Sequence, residues 1–555
     1  MTNMEMLERV RELKENVQSI LTRLDQVHPD ELSYITRRLS GYYGEYSYEY
    51  SNFSSGDTAW MLFSTALVLL MTVPSLTIYY GGMVKKNEVI PTLMQGFSIA
   101  CLVTVLWVFV GYSLAFAPIK YVPGHSFIGD ASRMFLLGIS MNESHQLADT
   151  IPESVFCTYQ LTFAIITPAL ICGSTANRMR YSAMIIFMSL WHVFAYCPIA
   201  HASWHPGGFL NKAGTLDYAG GNVVHISSGV SGFVIAMFMG RHKAYLGNRR
   251  SDQSILLTFI GVSLLWFGWF GFNAGSALQA NARAGTAMLN TQIATACASL
   301  SWLFTEWTQK KQPSVLGMVS GAVAGLVAVT PASGYVDYTG AFVLGVASGP
   351  LCYYGVRLKH LLGYDDALEA FGVHAIGGIV GGVLTGLFAK AEVCGTEGAL
   401  YGNGMQLIYQ LYGILFAIAW SGGVSFCILV VIKYTIGLTP VSDEDNDSSI
   451  DGSNHNSVPQ SSNHAGVSQH GGFPPPTFQP QQKALNVSQH SARKKISVIP
   501  MSSASLTALQ SSTGNNGQQH AVMDSNLVHA QRLQSTSRTP IAVVMQPADM
   551  HGTVH

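Results

Sequence analysis

Val224-His225 is followed by Gly229 and Gly232, and Val373-His374 is followed by Gly378 and Gly381. The pattern V-H-x-x-x-G-x-x-G thus occurs twice, each time within a long apolar stretch. An ionisable side chain at such a place is costly and turns toward a bundle interior or a pathway. One such histidine is explained equally well by a satisfied structural role. Two at equivalent places point to a shared site. Imidazoles brought to one depth can share a proton across a hydrogen bond, and desolvation keeps such a pair neutral. A neutral pair offers a donor and acceptors to a small polar solute without a fixed charge. Metal binding is the rival chemistry, but no third ligand stands nearby in the sequence. His201 and His205 are four apart, yet Pro206 and a loop follow, which argues against a helical metal pair there. Asp217 precedes Tyr-Ala-Gly-Gly-Asn at the start of the stretch that holds His225. It suits a helix N-cap, and as a buried carboxylate it would also attract a cation. Capping would fix the side chain where its field helps.

The elements that position these residues are written in the composition. Of 555 residues, 48% are hydrophobic and 11% charged, where soluble domains carry about a quarter charged residues. Eleven apolar stretches run at about 58–81, 91–117, 153–175, 181–202, 221–240, 254–274, 285–308, 314–331, 336–356, 371–389 and 405–436. Each is long enough to cross roughly 30 Å of hydrocarbon, and in lipid each must be helical. The expected fold is an all-α polytopic bundle of eleven transmembrane helices. The histidine pattern falls in the fifth and tenth, which implies two five-helix halves of opposite topology plus a long last helix. In such inverted repeats the site lies at the interface of the halves. The last stretch, at 1.5 Å per residue, is about 48 Å long and should tilt or project from the membrane.

With the N-terminus outside, twelve Lys and Arg fall in the inner loops and five in the outer ones. That bias favours an external N-terminus and a cytoplasmic C-terminus. The sequons at Asn52 and Asn142 would then face outward, and those at Asn446 and Asn486 would not. Residues 1–56 form an N-terminal extension without a signal-peptide core. In it Leu7, Val10, Leu13, Val17, Ile20, Leu21 and Leu24 mark an amphipathic helix. Residues 57–437 form the membrane domain, and 438–555, rich in Ser, Gln, Asn, His and Pro, a disordered tail. The tail's Arg493-Lys494-Lys495-Ile496-Ser497 reads equally as a kinase site or a solvated charge cluster. The eight cysteines form no CxxC pair and imply neither a disulfide framework nor a zinc site. A net charge of −1 suggests no nucleic-acid partner.

The residues between these landmarks resemble the ammonium transporter family (Amt/Mep/Rh) over about 57–440. The matching stretches are Tyr79-Tyr80-Gly81-Gly82-Met83, Pro198-Ile199-Ala200-His201, Leu216-Asp217-Tyr218-Ala219-Gly220-Gly221-Asn222-Val223-Val224-His225, Trp269-Phe270-Gly271-Phe272-Asn273-Ala274-Gly275-Ser276 and Phe371-Gly372-Val373-His374. The resemblance implies a right-handed eleven-helix bundle, a homotrimer in membrane lipid, and one pore per subunit. It implies that Trp204, Ser276 and Phe163 recruit ammonium at the outer mouth by cation–π contact and an accepted N–H. It further implies that Phe163 and Phe272 close the pore, that Asp217 is the essential acidic residue, and that Trp269, His225 and His374 line the path of ammonia. No cofactor is implied. The sequence departs from the family at Asn177, where Glu is usual. It departs again in the tail, where Ile450, Asp451 and His455 keep the family spacing but Asn456 and Ser457 replace Gly-Glu. The tail therefore gives no support for binding a PII-type regulator. A rival reading is an ammonium sensor that signals through its long tail. A membrane enzyme has little support, because no nucleophile–base pair or metal-ligand set is present.

Overall fold

The computed structural model describes residues 53–118, 126–176, 178–240, 254–366 and 368–439. The amphipathic segment, Asn52, Asn177, Asn446, Asn486 and the tail lie outside the described residues. Helices stand at all eleven expected places: α1 Ser55–Met83, α2 Lys86–Phe116, α3 Glu153–Thr175, α4 181–204, α5 Gly221–Met239, α6 Ile255–Ala274, α7 Ala282–Lys310, α8 Val315–Val329, α9 Tyr338–Leu362, α10 Phe371–Phe388 and α11 Gly404–Thr435. Small polar residues start several of them. Ser54, Ser254, Asn281, Ser314 and Asp337 each accept a backbone N–H three residues on, which satisfies a donor that the first turn leaves open. The β pairing among the described residues is two isolated bridges, His145 with Ala148 and Val336 with Ala389.

Nine of these segments are long and apolar enough to cross a membrane. The other two are α7 and α8. α7 has 29 residues, but Thr, Asn, Gln and Ser run through it, and it packs against both α8 and α9. The expected span 314–331 is shorter than its sequence suggested. α8 has 15 residues, about 22 Å of helix, and the chain then turns through 330–336. Asn290 of α7 supports that turn by donating to the carbonyls of Ser333 and Val336, both at 2.8 Å. Irregular backbone at this depth is tolerated where protein supplies its partners.

Several helices contain a wider π-helical turn, where one extra residue is accommodated. In α1 it spans Met71–Ser75 and includes Pro74. Pro74 has no N–H to give the carbonyl of Leu70, and Ser75 Oγ donates to that carbonyl at 2.7 Å. The turns that matter most here are Gly221–Ile226 in α5 and Phe371–Ala375 in α10, because they contain His225 and His374.

α5 and α10 cross closely through glycines. A Cβ at Gly229 would collide with the backbone and Cβ of Ala375, and one at Gly378 would stand 2.9 Å from Ile226 Cγ1 and 3.2 Å from His225 Cβ. Each glycine lies four residues after one histidine, and each faces the residue that follows the other histidine. Away from this centre, Phe63, Phe97, Phe259, Phe267, Phe342, Leu415 and Phe426 are exposed. Large apolar side chains over so much of a chain's surface fit a lipid surrounding rather than water.

Candidate functional site

The glycine crossing brings the two π-helical turns together, and with them the histidines. His225 and His374 are buried, their ring planes 18° apart and centroids 5.4 Å apart. Their Nδ1 atoms lie 3.3 Å from each other, within reach of a hydrogen bond in which one ring donates and the other accepts. His225 Nε2 is buried and meets no protein partner.

Aromatic rings continue from this pair toward Asp217. Trp269 of α6 stacks on His225 at 5.5 Å between centroids and 16° between planes. Its indole N–H donates to Thr330 Oγ1 at 3.0 Å, and Thr330 donates to the Leu326 carbonyl at 2.7 Å. The end of α8 thereby sets the angle of the ring that covers His225. Phe272 lies 5.3 Å from Trp269 and stacks on Phe163 of α3 at 4.3 Å and 21°. Phe163 and Phe272 are fully buried. Trp204, at the end of α4, meets Phe163 edge-on at 5.6 Å and 90°.

Ser276, one turn beyond Phe272, donates its hydroxyl proton to the Phe272 carbonyl at 2.9 Å. Its lone pairs remain to accept. Tyr159, one turn before Phe163, donates to the same carbonyl at 2.9 Å and lies 3.3 Å from Ser276 Oγ. It ties α3 to α6 at the point where the two phenyl rings meet.

Asp217 is buried, and the N-cap position of α5 falls not on it but on Gly220, whose left-handed φ of 114° turns the chain so that the Asp217 side chain reaches the first turn. One carboxylate oxygen accepts the N–H groups of Gly220 at 2.9 Å and Gly221 at 2.5 Å. The other accepts those of Asn222 at 2.9 Å and Val223 at 3.2 Å. Burial pushes this carboxyl above the usual carboxylate range, while the four N–H groups act against the rise. The Asp217 backbone carbonyl accepts the Trp204 indole N–H at 2.9 Å. Asp217 thus orients Trp204 through its main chain and its own helix through its side chain.

The same cap recurs at α10. Asp366 accepts the N–H groups of Ala370 at 3.1 Å and Phe371 at 2.9 Å. Each aspartate stands eight residues before its histidine, so D-x7-H repeats in the sequence. That spacing could have revealed Asp366, which the motif reading passed over. Tyr159 and Thr330 carry no comparable signal.

His201 and His205 are not near this pair in their bonding. Their rings stack at 4.3 Å. His201 Nδ1 bonds to the Ala115 carbonyl at 2.9 Å, and His205 bonds to Gln146 and to the Gly207 N–H.

The sequence matches the model of the Ammonium Transporter Family over residues 59–459. An ammonium transporter of Aquifex aeolicus is 46% identical over 403 residues, covering 72% of this chain and 92% of that protein. The crystal structure of Candida albicans Mep2 is 33% identical with a TM-score of 0.67, over 71% of this chain and 88% of that one. A structure described as Sensor Amt Protein is 25% identical with a TM-score of 0.64, over 70% of this chain and 96% of that one. These likenesses extend over the helices that bring the two histidines and the stacked rings together, and the chain belongs to the ammonium transporter family.

Proposed function

We propose that this multi-pass membrane protein recruits ammonium at Trp204, Ser276 and Phe163, removes a proton, and passes ammonia between Phe163 and Phe272 to His225 and His374. The observation that carries the reading is the buried Nδ1–Nδ1 pair behind two stacked phenyl rings. An ion moved into that apolar layer would lose its hydration, at an idealised cost on the order of tens of kcal/mol. Neutral ammonia avoids most of it. Potassium, close to ammonium in size, has no proton to leave behind. The Trp204 and Phe163 ring faces suit a cation before that step, and Ser276 has lone pairs for its N–H groups. Beyond the phenyl rings, Trp269 holds His225 flat, which leaves Nε2 to meet the solute.

The direct test is methylammonium uptake with current recording in a cell that lacks its own ammonium transporters. Uptake above background is the expected result, and its absence in a surface-expressed protein would refute the reading. Whether current accompanies uptake tells where the proton goes.

The inverted repeat is supported by the reciprocal glycine contacts of α5 and α10 and by the paired aspartate caps. The resemblance supports a homotrimer with one pore per subunit, in the plasma membrane. The loop charges support an external N-terminus. On that topology Asn142, exposed in the loop before α3, is open to N-glycosylation. Glycopeptide mapping in a glycosylating host should find any glycan at Asn52 or Asn142. A glycan at Asn446 or Asn486 would reverse the topology.

A second reading, ammonium sensing, draws on the likeness to Sensor Amt Protein and on the tail. Deleting the residues after Gly437 separates the two. A transporter keeps its uptake, and a sensor loses its signal whatever the flux.

A further inference from the structure

Asp217 sits in a connection, and connections on the way to a pore need something to hold them. The residues just before it are held by α11, which contributes none of the aromatic rings or histidines of the path. Gln410 Oε1 accepts the Leu216 N–H at 2.6 Å, and Gln410 Nε2 donates to the Leu216 carbonyl at 2.7 Å. One side-chain amide thus bonds both polar groups of one residue, as a neighbouring strand would. Gln410 Nε2 also reaches the Gly382 carbonyl of α10 at 3.3 Å. One turn earlier, Gln406 donates to the Gly214 carbonyl at 2.9 Å and to Gln410 Oε1 at 3.3 Å. Thr215 Oγ1 donates to the Tyr409 carbonyl at 3.1 Å. Both glutamines are buried, at 1% and 2% exposure, so neither bond competes with solvent.

α11 approaches this closely because Gly413 follows. A Cβ there would stand 2.6 Å from Thr215 Cγ2 and 2.8 Å from Asn222 Nδ2. Asp217 is therefore held on both sides, by α11 through Leu216 and by the first turn of α5 through its carboxylate. Its carbonyl, between the two, takes the Trp204 indole.

We propose that Gln410 is a positioning residue for transport, setting where Asp217 and Trp204 stand at the recruitment site. The proposal rests on the reading of that site given above. Gln410 bonds the residue next to Asp217 and neither histidine, so its loss falls on KM more than on the maximal rate.

The test uses the full chain, Gln410→Leu and Gln410→Glu, with methylammonium uptake normalised to surface protein. Gln410→Leu leaves both groups of Leu216 without a partner. It should raise KM about tenfold and change the maximal rate less than about twofold. Gln410→Glu supplies a conservative rescue that a packing role would not. As a neutral acid it keeps one acceptor and one O–H donor toward Leu216. Ionised, it has no donor and faces the carbonyls of Leu216 and Gly382. The groups bonded to it, from Gln406, Leu216 and Gly382, are uncharged, and Asp217 on the held loop is common to the wild type. Burial at this position raises a Glu carboxyl from its ordinary value of about 4.3 into the range between about pH 5 and 8, so the KM ratio of Gln410→Glu to wild type should fall toward one as external pH is lowered from about 8 to about 5, while that of Gln410→Leu stays high. Wild-type KM in Gln410→Leu, or a Gln410→Glu ratio flat with pH, would overturn the proposal. Failure of both variants to reach the surface would also overturn it, since it would make the role purely structural. Asp217→Asn, measured alongside, separates the failures. An inactive Asp217→Asn with unaffected Gln410 variants sinks the positioning role alone, and an active Asp217→Asn sinks the recruitment reading beneath it.

Discussion

Asp217→Asn should abolish uptake while protein still reaches the membrane. The change keeps size and shape, so the loss must come from chemistry. Two carboxylate oxygens accept four N–H groups from Gly220, Gly221, Asn222 and Val223. An amide has one acceptor oxygen, and its NH2 would face donors. Two N–H groups would be stranded in a buried turn, at about 1–3 kcal/mol each. The turn they belong to runs directly into His225, and the Asp217 carbonyl holds Trp204. A shift in this turn thus disturbs both Trp204 and His225, and the negative charge proposed to favour a cation beside Trp204 is lost as well. The measurement is methylammonium uptake with surface labelling. Near-normal uptake by the variant would remove Asp217 from the mechanism.

The second large effect is a change of selectivity. Replacing either His225 or His374 by aspartate should admit potassium. In the proposed function the native pair, its Nδ1 atoms 3.3 Å apart, shares one proton and presents no net charge. His225→Asp or His374→Asp places a potential anion there, with a side chain shorter than imidazole. The space released can hold water, and an anion with water stabilises a whole cation. Shedding a proton is then no longer required, and potassium can follow ammonium. The measurements are potassium-dependent growth, or potassium current, beside methylammonium uptake. If the histidines only pack α5 against α10, the variants will be misfolded or inactive and pass no new ion. A well-expressed variant that moves methylammonium and still excludes potassium would leave Trp204, Phe163 and Asp217 as the selectivity element.

The helices were legible in the sequence because a bilayer demands long apolar runs, and loops between them carry the charge. Such runs marked all eleven stretches, and a helix stands at each. α7 and α8 are the two that fall short of a membrane span by length and composition, since α7 is polar along its length and the chain leaves α8 early. Their place is decided by the company of α9 and by Asn290, which supports the turn after α8. His225 and His374 were legible for another reason. An ionisable residue in an apolar run stands out, and a repeated pattern around it stands out further. The same logic applied at a spacing of eight would have found Asp366.

What the sequence could not show is how side chains far apart in the chain meet. Trp269 and Thr330 are 61 residues apart, and Leu216 and Gln410 are 194 apart. Neither pair leaves a periodic trace, because a hydrogen bond between two distant segments asks only one residue of each. The π-helical turns around His225 and His374 are hidden for a similar reason. One extra residue in a turn barely disturbs an apolar pattern that is already nearly continuous. Composition and a repeated motif were enough to place two histidines inside apolar helices. That their Nδ1 atoms face each other emerges in three dimensions, because it depends on two glycines crossing, two turns widening, and an indole held flat by a threonine.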